Sequence, residues 1–268
     1  MHRFFVPADW LTGGNVTVSG ALVHQMRRVL RLRAGEPVIF LDNSGWEVEA
    51  EILSLDDQTV EAVVRRKGLG TGEPRTKITL YQSLLKGDHF SQVLDQCTQL
   101  GVVEFIPVVS ERCIVADAGE ASARYNRWQR IILEAAEQSH RSKLPIVRPA
   151  VLLAAVLESA KGRGLSLMPW EDEHTATVKA ALAPPPLPSP APSPEAGKGR
   201  RDRQTPRPRR PFAINLFMGP EGGFTSTEVA IARQYGVIPV TLGPRILRAE
   251  TAGPVAAAII LYELGDMG

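Results

Sequence analysis

The pattern of apolar and polar positions changes once along the chain, near residue 70. Before that point, short β-rich runs separated by turn residues predict three strands, over 37–42, 46–53 and 59–66. A stretch with helical spacing at 21–32 precedes them. The pattern predicts a small, strand-rich N-terminal domain over residues 1–70. A glycine-rich linker, KGLGTGEPRTK at 67–77, ends it.

After the linker, strands alternate with amphipathic helices. In the helix predicted at 88–101, one stripe carries Phe90, Val93, Leu94, Cys97 and Leu100. A longer helix is predicted at 124–141, and the predicted strands are 78–85, 103–109, 165–169, 214–219 and 237–243. Alternation of this kind predicts an α/β domain with a largely parallel sheet, over residues 76–268.

Residues 183–211 interrupt this domain with a segment that is first proline-rich and then arginine-rich. Such a composition cannot bury a core, so we expect an extended or disordered insertion between a helix at 174–182 and the strand at 214–219. Residues 198–210 hold seven basic residues and one acidic residue, a net charge of +6. The insertion is either an electrostatic arm that gathers RNA or, as we favour, a tolerated loop.

The composition narrows the class of protein. Hydrophobic residues make up 44% of the chain, and the longest apolar run, around 255–261, is far shorter than the roughly 20 residues of a membrane helix. The N-terminus lacks the apolar core of a signal peptide. Cys97 and Cys113 form no CxxC pair. We therefore expect a cytoplasmic protein with free thiols, no membrane association and no metal site.

Positive charge is clustered rather than general. The net charge is +2, so the chain outside 198–210 sums to −4. Residues 1–33 hold five arginines and one acid, and residues 121–148 hold six basic residues and two acids, a net of +4 each. Each cluster suits either an RNA backbone or a solvated face.

A glycine-rich loop, FMGPEGGFTSTE at 217–228, follows one predicted strand. Thr225 and Glu228 have the spacing of a capping box, so a helix is predicted to begin there. The loop has neither GxGxxG nor GK[ST], which excludes the dinucleotide fingerprint and the P-loop, and Glu221 would repel a triphosphate. A ligand with ribose hydroxyls and positive charge, such as S-adenosylmethionine, suits the loop better. A purely structural turn is the alternative.

Two further loops also follow predicted strands, namely 168–173 (MPWEDE) and 242–252 (LGPRILRAETA). In open α/β sheets, ligands bind beyond the carboxyl ends of the strands. The three loops are therefore predicted to converge on one edge of the sheet and to form one site.

GPEGGF followed by LGPRILRAETA resembles the SPOUT methyltransferase superfamily, specifically its RsmE family. Other segments fall in the family's order: RFFV, HQMRRVLRLRAGE, LLKGD, QLGV, IPVVSERC, EAAEQSHR and PWE. The resemblance covers the chain except for about 183–211. It implies a SPOUT α/β trefoil-knot domain preceded by a small PUA-like, RNA-binding β-barrel. It also implies a homodimer that transfers a methyl group from S-adenosylmethionine to N3 of a uridine in 16S ribosomal RNA of the small subunit.

The resemblance also implies a set of cofactor contacts in the three loops. These are Met168, Trp170 and Glu171 in the first, Gly219 and Gly222 in the second, and Leu242, Gly243, Ile246, Leu247 and Thr251 in the third. For Thr251, a helix cap is the alternative role.

Methylation at N3 requires loss of a weakly acidic proton, which leaves negative charge on the flanking carbonyl oxygens. A fixed guanidinium can stabilise this charge, and Arg248 is the first candidate. Because arginine stays protonated, Glu250 or Glu221 is the candidate proton acceptor, or else orients the arginine. For Glu250, the alternative is a helix-start carboxylate paired with an arginine.

N3 lies on the Watson–Crick edge, so the target uridine must be unpaired or swung out. The candidate RNA contacts are Arg3, Arg28, Arg31, Lys86 and Arg141. Two alternatives stay open. One is a SPOUT enzyme that acts on a ribose 2′-hydroxyl or on transfer RNA, and the other is a ribosome-assembly protein with an idle pocket.

Overall fold

The computed structural model describes residues 1–114, 118–183 and 211–268, with backbone alone for 118–123. Most of the predicted insertion at 183–211 therefore lies outside the described residues. Two sheets organise the rest of the chain, one before and one after residue 70.

The first sheet has the strand order β1-β3-β4-β5-β2, in which only the β1–β3 pair is parallel. Its strands are β1 (His2–Phe5), β2 (Asn15–Ser19), β3 (Pro37–Leu41), β4 (Trp46–Leu55) and β5 (Thr59–Leu69). Alternate residues point inward, and Val16, Val18 and Phe40 lie fully buried in the core that results. The sheet curls because β4 shifts register twice against β5. The three predicted strands are confirmed, and β1 and β2 are additional.

The helix predicted at 21–32 is shorter and irregular. An α-helical turn, α1 (Ala21–His24), passes into a π-helical turn over Gln25–Val29. Arg31 has a φ of 55°, a left-handed conformation that cannot continue a helix. Met26 is fully buried on the inner face of this segment.

The second sheet confirms the predicted α/β class, since all of its strand pairs are parallel. The order is β12-β10-β11-β6-β7-β8, with β9 also paired to β7. The strands are β6 (Lys77–Ser83), β7 (Glu104–Val109), β8 (Ile146–Val147), β9 (Val151–Leu152), β10 (Leu165–Pro169), β11 (Ala213–Met218) and β12 (Ile238–Val240).

Helices cover the two faces of this sheet. They are α2 (His89–Leu100), α3 (Ala118–Gln138), α4 (Leu153–Ala160), α5 (Val178–Leu182), α6 (Ser226–Gln234) and α7 (Ala249–Leu264). The predicted stripe of α2 is buried, except that Leu100 is only partly so. The helix predicted at 174–182 begins later, because the Thr177 side chain accepts a hydrogen bond from Ala180 N and so caps α5.

The last helix returns across the sheet. β12 lies at the edge outside β10, yet α7 packs against α2, β6 and β11. Gly253 permits this approach, since a Cβ there would lie 3.2 Å from Gln82 Oε1. The return places the first residues of α7 beside the ends of the central strands.

The connection between the sheets is pinned rather than loose. β5 extends to Leu69, so the predicted linker loses its first three residues. Glu73 accepts from Arg141, with Nη2 and Oε2 2.8 Å apart, while Asp266 accepts from the backbone N–H groups of Arg75 and Thr76. Residues 70–76 are therefore held from both sides.

Arg141 was expected to contact RNA, and the structure corrects this expectation. Its side chain is 2% exposed, and its Nη1 also donates to the carbonyls of Thr98 and Val102. Both carbonyls lie near the start of β7, at the edge opposite the predicted site. A guanidinium enclosed in this way stabilises the fold and is not accessible to a phosphate backbone.

We predict that Arg141→Met lowers the free energy of unfolding by about 3–5 kcal/mol, because it leaves Glu73 buried without its partner. Arg148→Ala is the matched control. Arg148 pairs with Glu104, but its side chain is 53% exposed, so a loss below about 1 kcal/mol is expected. Chemical denaturation measures the free energy of unfolding of both variants. Equal losses would show that the buried ion pair stabilises the fold no more than the exposed one.

A buried carboxylate also joins the two sheets. Glu137 on α3 accepts a hydrogen bond of 3.1 Å from Phe5 N on β1. Burial raises the pKa of Glu137 to about 7, and the nearby charge of Glu134 adds to the effect. The folded protein therefore holds this proton more tightly than the unfolded chain does, so stability contributed here is lost as the pH rises through about 7.

We predict that Glu137→Gln is more stable than the natural protein at pH 8, by on the order of 1 kcal/mol, and equally stable near pH 4. Glutamine keeps the acceptor for Phe5 N and carries no charge. Denaturation midpoints across this pH range provide the measurement, with the exposed Glu158→Gln as control. A difference between Glu137→Gln and the natural protein that does not grow with pH would contradict the assignment.

Candidate functional site

Five loops leave the carboxyl ends of parallel strands at one edge of the second sheet, here called the rim. They are 84–88, 110–114, 170–177, 219–225 and 241–248. All three loops predicted from sequence belong to the rim. The other two, after β6 and β7, were not part of the predicted cofactor site.

Hydrogen bonds tie the glycine-rich loop 219–225 to its neighbours. Lys86 N donates to Glu221 Oε1 at 2.8 Å, and Arg112 Nη1 donates to the Gly222 carbonyl at 2.7 Å. Behind the loop, the buried Gln82 donates from Nε2 to the Gly219 carbonyl at 3.3 Å. The loop is therefore held in one conformation on the side of β6 and β7.

The predicted capping box at the start of α6 is present. Thr225 Oγ1 accepts from Glu228 N, and Glu228 Oε2 accepts from Thr225 N. The second oxygen of Glu228 accepts from Glu111 N at 2.8 Å. One carboxylate thus fixes both the start of α6 and the loop after β7.

Three glycines shape the floor of the rim. A Cβ on Gly219 would lie 3.3 Å from Gly223 and Phe224, so this turn closes tightly on itself. Gly223 has a φ of 67°, and the carboxylate of Glu171 occupies the space that a Cβ would need. Gly243 has a φ of 106° and no atom near its missing Cβ. The third loop therefore leaves open space at Gly243.

The predicted cofactor contacts differ in accessibility. The Met168 side chain is fully buried in the core, so only its backbone faces a ligand. Trp170 is partly buried, and its indole Nε1 is enclosed with no hydrogen-bond partner among the described residues. Leu242 and Leu247 are half-buried, whereas Ile246 is 89% exposed. Apolar surface thus stands open beside Gly243.

Thr251 does not cap α7. The cap position belongs to Arg248, which makes no side-chain capping bond, and Thr251 is the third residue of the helix. Its backbone N–H donates to the Arg248 carbonyl, and its side chain is exposed. The side chain is therefore accessible at the rim.

The three catalytic candidates lie in different surroundings. Arg248 is exposed where the third loop meets α7. Glu221 is engaged by Lys86 N. Glu250 is 14% exposed, and its Oε1 lies 3.2 Å from Nδ1 of His89, the first residue of α2. Sequence reasoning missed His89, because no local motif links it to Glu250, 161 positions away.

The remaining RNA candidates also divide. Arg28, Arg31 and Lys86 are exposed. Arg3 is 8% exposed and pairs with Glu47 on β4. Arg3, like Arg141, thus stabilises the fold, and its expected contact with RNA is corrected for the same reason: a buried arginine needs a partner within the protein.

The two cysteines are unpaired, and burial raises the pKa of the Cys97 thiol far above its ordinary value. Within residues 1–114, 118–183 and 211–268, no three histidine, cysteine or acidic side chains are grouped to hold a metal ion. In the same ranges, no helix combines the length and the hydropathy needed to cross a membrane.

Comparison with known proteins gives one answer. Residues 72–261 match the family described as an RNA methyltransferase domain. A ribosomal RNA small subunit methyltransferase E from Synechocystis is 33% identical over 97% of this chain and 77% of its own. The one from Bacillus subtilis is 27% identical over 92% and 90%.

A solved structure agrees. The ribosomal RNA small subunit methyltransferase E of Neisseria gonorrhoeae, bound to S-adenosyl methionine, aligns with a TM-score of 0.80 at 30% identity, over 98% of this chain and 97% of its own. This likeness confirms the predicted fold class, a SPOUT-type α/β methyltransferase sheet behind a small curled β-sheet. The chain belongs to the ribosomal RNA small subunit methyltransferase E family.

Proposed function

We propose that this protein transfers a methyl group from S-adenosylmethionine to N3 of a uridine in 16S ribosomal RNA of the small ribosomal subunit. The observation that carries the proposal is the rim, where a fixed glycine-rich loop, an open apolar loop and the start of α7 meet at the ends of parallel strands. Relatives over nearly the whole chain are named for methylation of small-subunit ribosomal RNA. N3 is the finer part of the proposal, and it rests on the family resemblance.

The residues at the rim fit S-adenosylmethionine. The enclosed Trp170 Nε1 has no acceptor in the part of the chain that the structure describes, and the space over Gly243 is open. Ile246, Leu242 and Leu247 offer apolar surface for an adenine ring. Gly219, Gly222 and the backbone of Met168 would line the same site, with Glu171 and Thr251 at its border. When bound, the cofactor supplies an activated methyl group on a cationic sulfonium.

The contribution of the protein is mainly alignment and electrostatics. Good alignment of two reactants is worth roughly 7–11 kcal/mol of the barrier. The exposed guanidinium of Arg248 can stabilise the negative charge that develops on the uridine oxygens when N3 loses its proton. Glu221 accepts a hydrogen bond from Lys86 N, which supports a structural role for Glu221 in the loop.

The first sheet is proposed as the PUA-like RNA-binding domain, over about residues 1–70, with the methyltransferase domain over 76–268. Of the predicted RNA contacts, Arg28 and Arg31 are exposed in the first domain, and Lys86 is exposed in the loop after β6 at the rim. A homodimer is proposed on the family resemblance, and exposed apolar side chains such as Ile246 and Tyr262 suit an interface. A ribosomal substrate implies a cytoplasmic location.

The first test is methyl transfer from labelled S-adenosylmethionine into small subunits that lack the modification. Nucleoside mass spectrometry of the product should show N3-methyluridine at one site. Label in a 2′-O-methyl nucleoside, or on transfer RNA alone, would replace the substrate assignment. Absence of both cofactor binding and label would favour an assembly protein with an idle pocket.

We predict that Arg248→Ala reduces kcat by about 10²-fold or more, because it removes charge stabilisation that acts in the transition state. The dissociation constant for S-adenosylmethionine, measured by calorimetry, should change little. Arg245→Ala is the matched control, since it removes an exposed arginine from the same loop. Equal loss in the two variants would indicate general attraction of RNA instead.

A further inference from the structure

A histidine and a carboxylate meet where α2 and α7 begin. His89 Nδ1 lies 3.2 Å from Glu250 Oε1, close enough for an ion pair. Nδ1 is enclosed and makes no hydrogen bond, to Glu250 or to any other described residue, whereas the imidazole as a whole is 42% exposed. The ring therefore turns one nitrogen towards the carboxylate and exposes its other side, which carries Nε2, at the rim.

We propose that His89 is the general base of the methyl transfer and that Glu250 orients it. This proposal rests on the proposed function, since it concerns removal of the uridine N3 proton. The neutral imidazole presents Nδ1–H to Glu250 and the lone pair of Nε2 to the substrate. The N3–H bond breaks, its proton passes to Nε2 and its electron pair stays on N3. That pair forms the bond to the methyl carbon while sulfur keeps the pair of the broken C–S bond. The proton then leaves His89 to water.

The geometry favours this division of roles over a carboxylate base. A carboxylate is a weaker base than a neutral imidazole. A base closer to the operating pH transfers a proton more effectively from a weak acid such as uridine N3. Glu250 Oε1 lies at ion-pair distance from Nδ1 and is thus placed to stabilise the imidazolium that forms.

Other charged groups lie around the pair, among them the exposed Arg248 at the start of α7. Asp88 pairs with Arg127 of α3 at 2.8 Å. Arg124, also on α3, donates to the Gly87 carbonyl at 3.4 Å, and Lys86 belongs to the same loop. The charge of Asp88 is balanced by Arg127, whereas the carboxylate of Glu250 lies 3.2 Å from Nδ1 of His89.

The test is the pH dependence of kcat for methylation of unmodified small subunits by the full chain. The natural protein should show a rate that rises with pH through an acid limb. His89→Gln should lose this limb and about 10²-fold or more in kcat at neutral pH. Its rate should recover at alkaline pH as hydroxide replaces the imidazole. Glu250→Gln should keep the limb and lose a smaller part of kcat than His89→Gln does.

Two measurements without turnover accompany the rates. The dissociation constant for S-adenosylmethionine should be unchanged in both variants, and ¹⁵N spectra of the histidines should show the Nδ1–H tautomer of His89, altered in Glu250→Gln. His174→Gln, an exposed histidine in the loop after β10, is the control for rate and spectrum. Thermal melting confirms that each variant is folded.

The outcomes separate the two proposals. A natural protein that methylates small subunits, with an unchanged limb in His89→Gln, would overturn the base assignment and leave the proposed function standing. Loss of the limb in Glu250→Gln alone would make Glu250 the base. A natural protein that forms no N3-methyluridine would remove the proposed function and the base assignment with it.

Discussion

The close approach of α7 to the ends of β6 and β11 is the constraint on which the candidate site depends. A helix that follows an edge strand would ordinarily pack near that edge. Here α7 crosses to α2, and this is possible because Gly253 offers no Cβ against Gln82 and because Ala256 and Ala257 present small side chains to the core. The same amide that faces Gly253 holds the Gly219 carbonyl. One buried side chain thus couples the glycine-rich loop to the helix that carries Glu250.

The second constraint is the pinned connection between the sheets. Arg141 and Glu73 hold it from one side and Asp266, near the C-terminus, from the other. Burial opposes the ionisation of Asp266, yet hydrogen bonds from Thr76 and Arg75 lower its pKa overall. Since Glu137 adds a contact between α3 and β1, the first sheet has a defined position relative to the second. Basic residues of the first sheet can then act at a fixed distance from the rim.

Sequence patterns predicted the central elements well and the short or edge elements poorly. The long apolar runs of β6 and β11 and the stripe of α2 follow directly from periodicity. β8 and β9 have two residues each, too few for any periodic signal. α4 was not predicted, although its buried residues Leu153, Val156, Leu157 and Ala160 do have helical spacing. The predicted RNA contacts of Arg3 and Arg141 were wrong for a different reason. A cluster of arginines in sequence does not show which of them a buried carboxylate will take.

In the candidate site too, features that depend on local sequence could be predicted, and features that depend on distant parts of the chain could not. The loops 219–225 and 241–248 could be predicted from the sequence because their glycines meet a local requirement of the backbone. Gly223 and Gly243 have the left-handed φ that favours glycine. The contact between His89 and Glu250 could not be predicted from the sequence, because it forms only when α7 packs across the sheet. The two acids that sequence left equivalent are distinguished by the same crossing. Glu221 meets a backbone N–H, whereas Glu250 meets an imidazole. A carboxylate beside an imidazole and one bound to a backbone amide lie in different surroundings, so the return of α7 distinguishes two acids that the sequence alone does not.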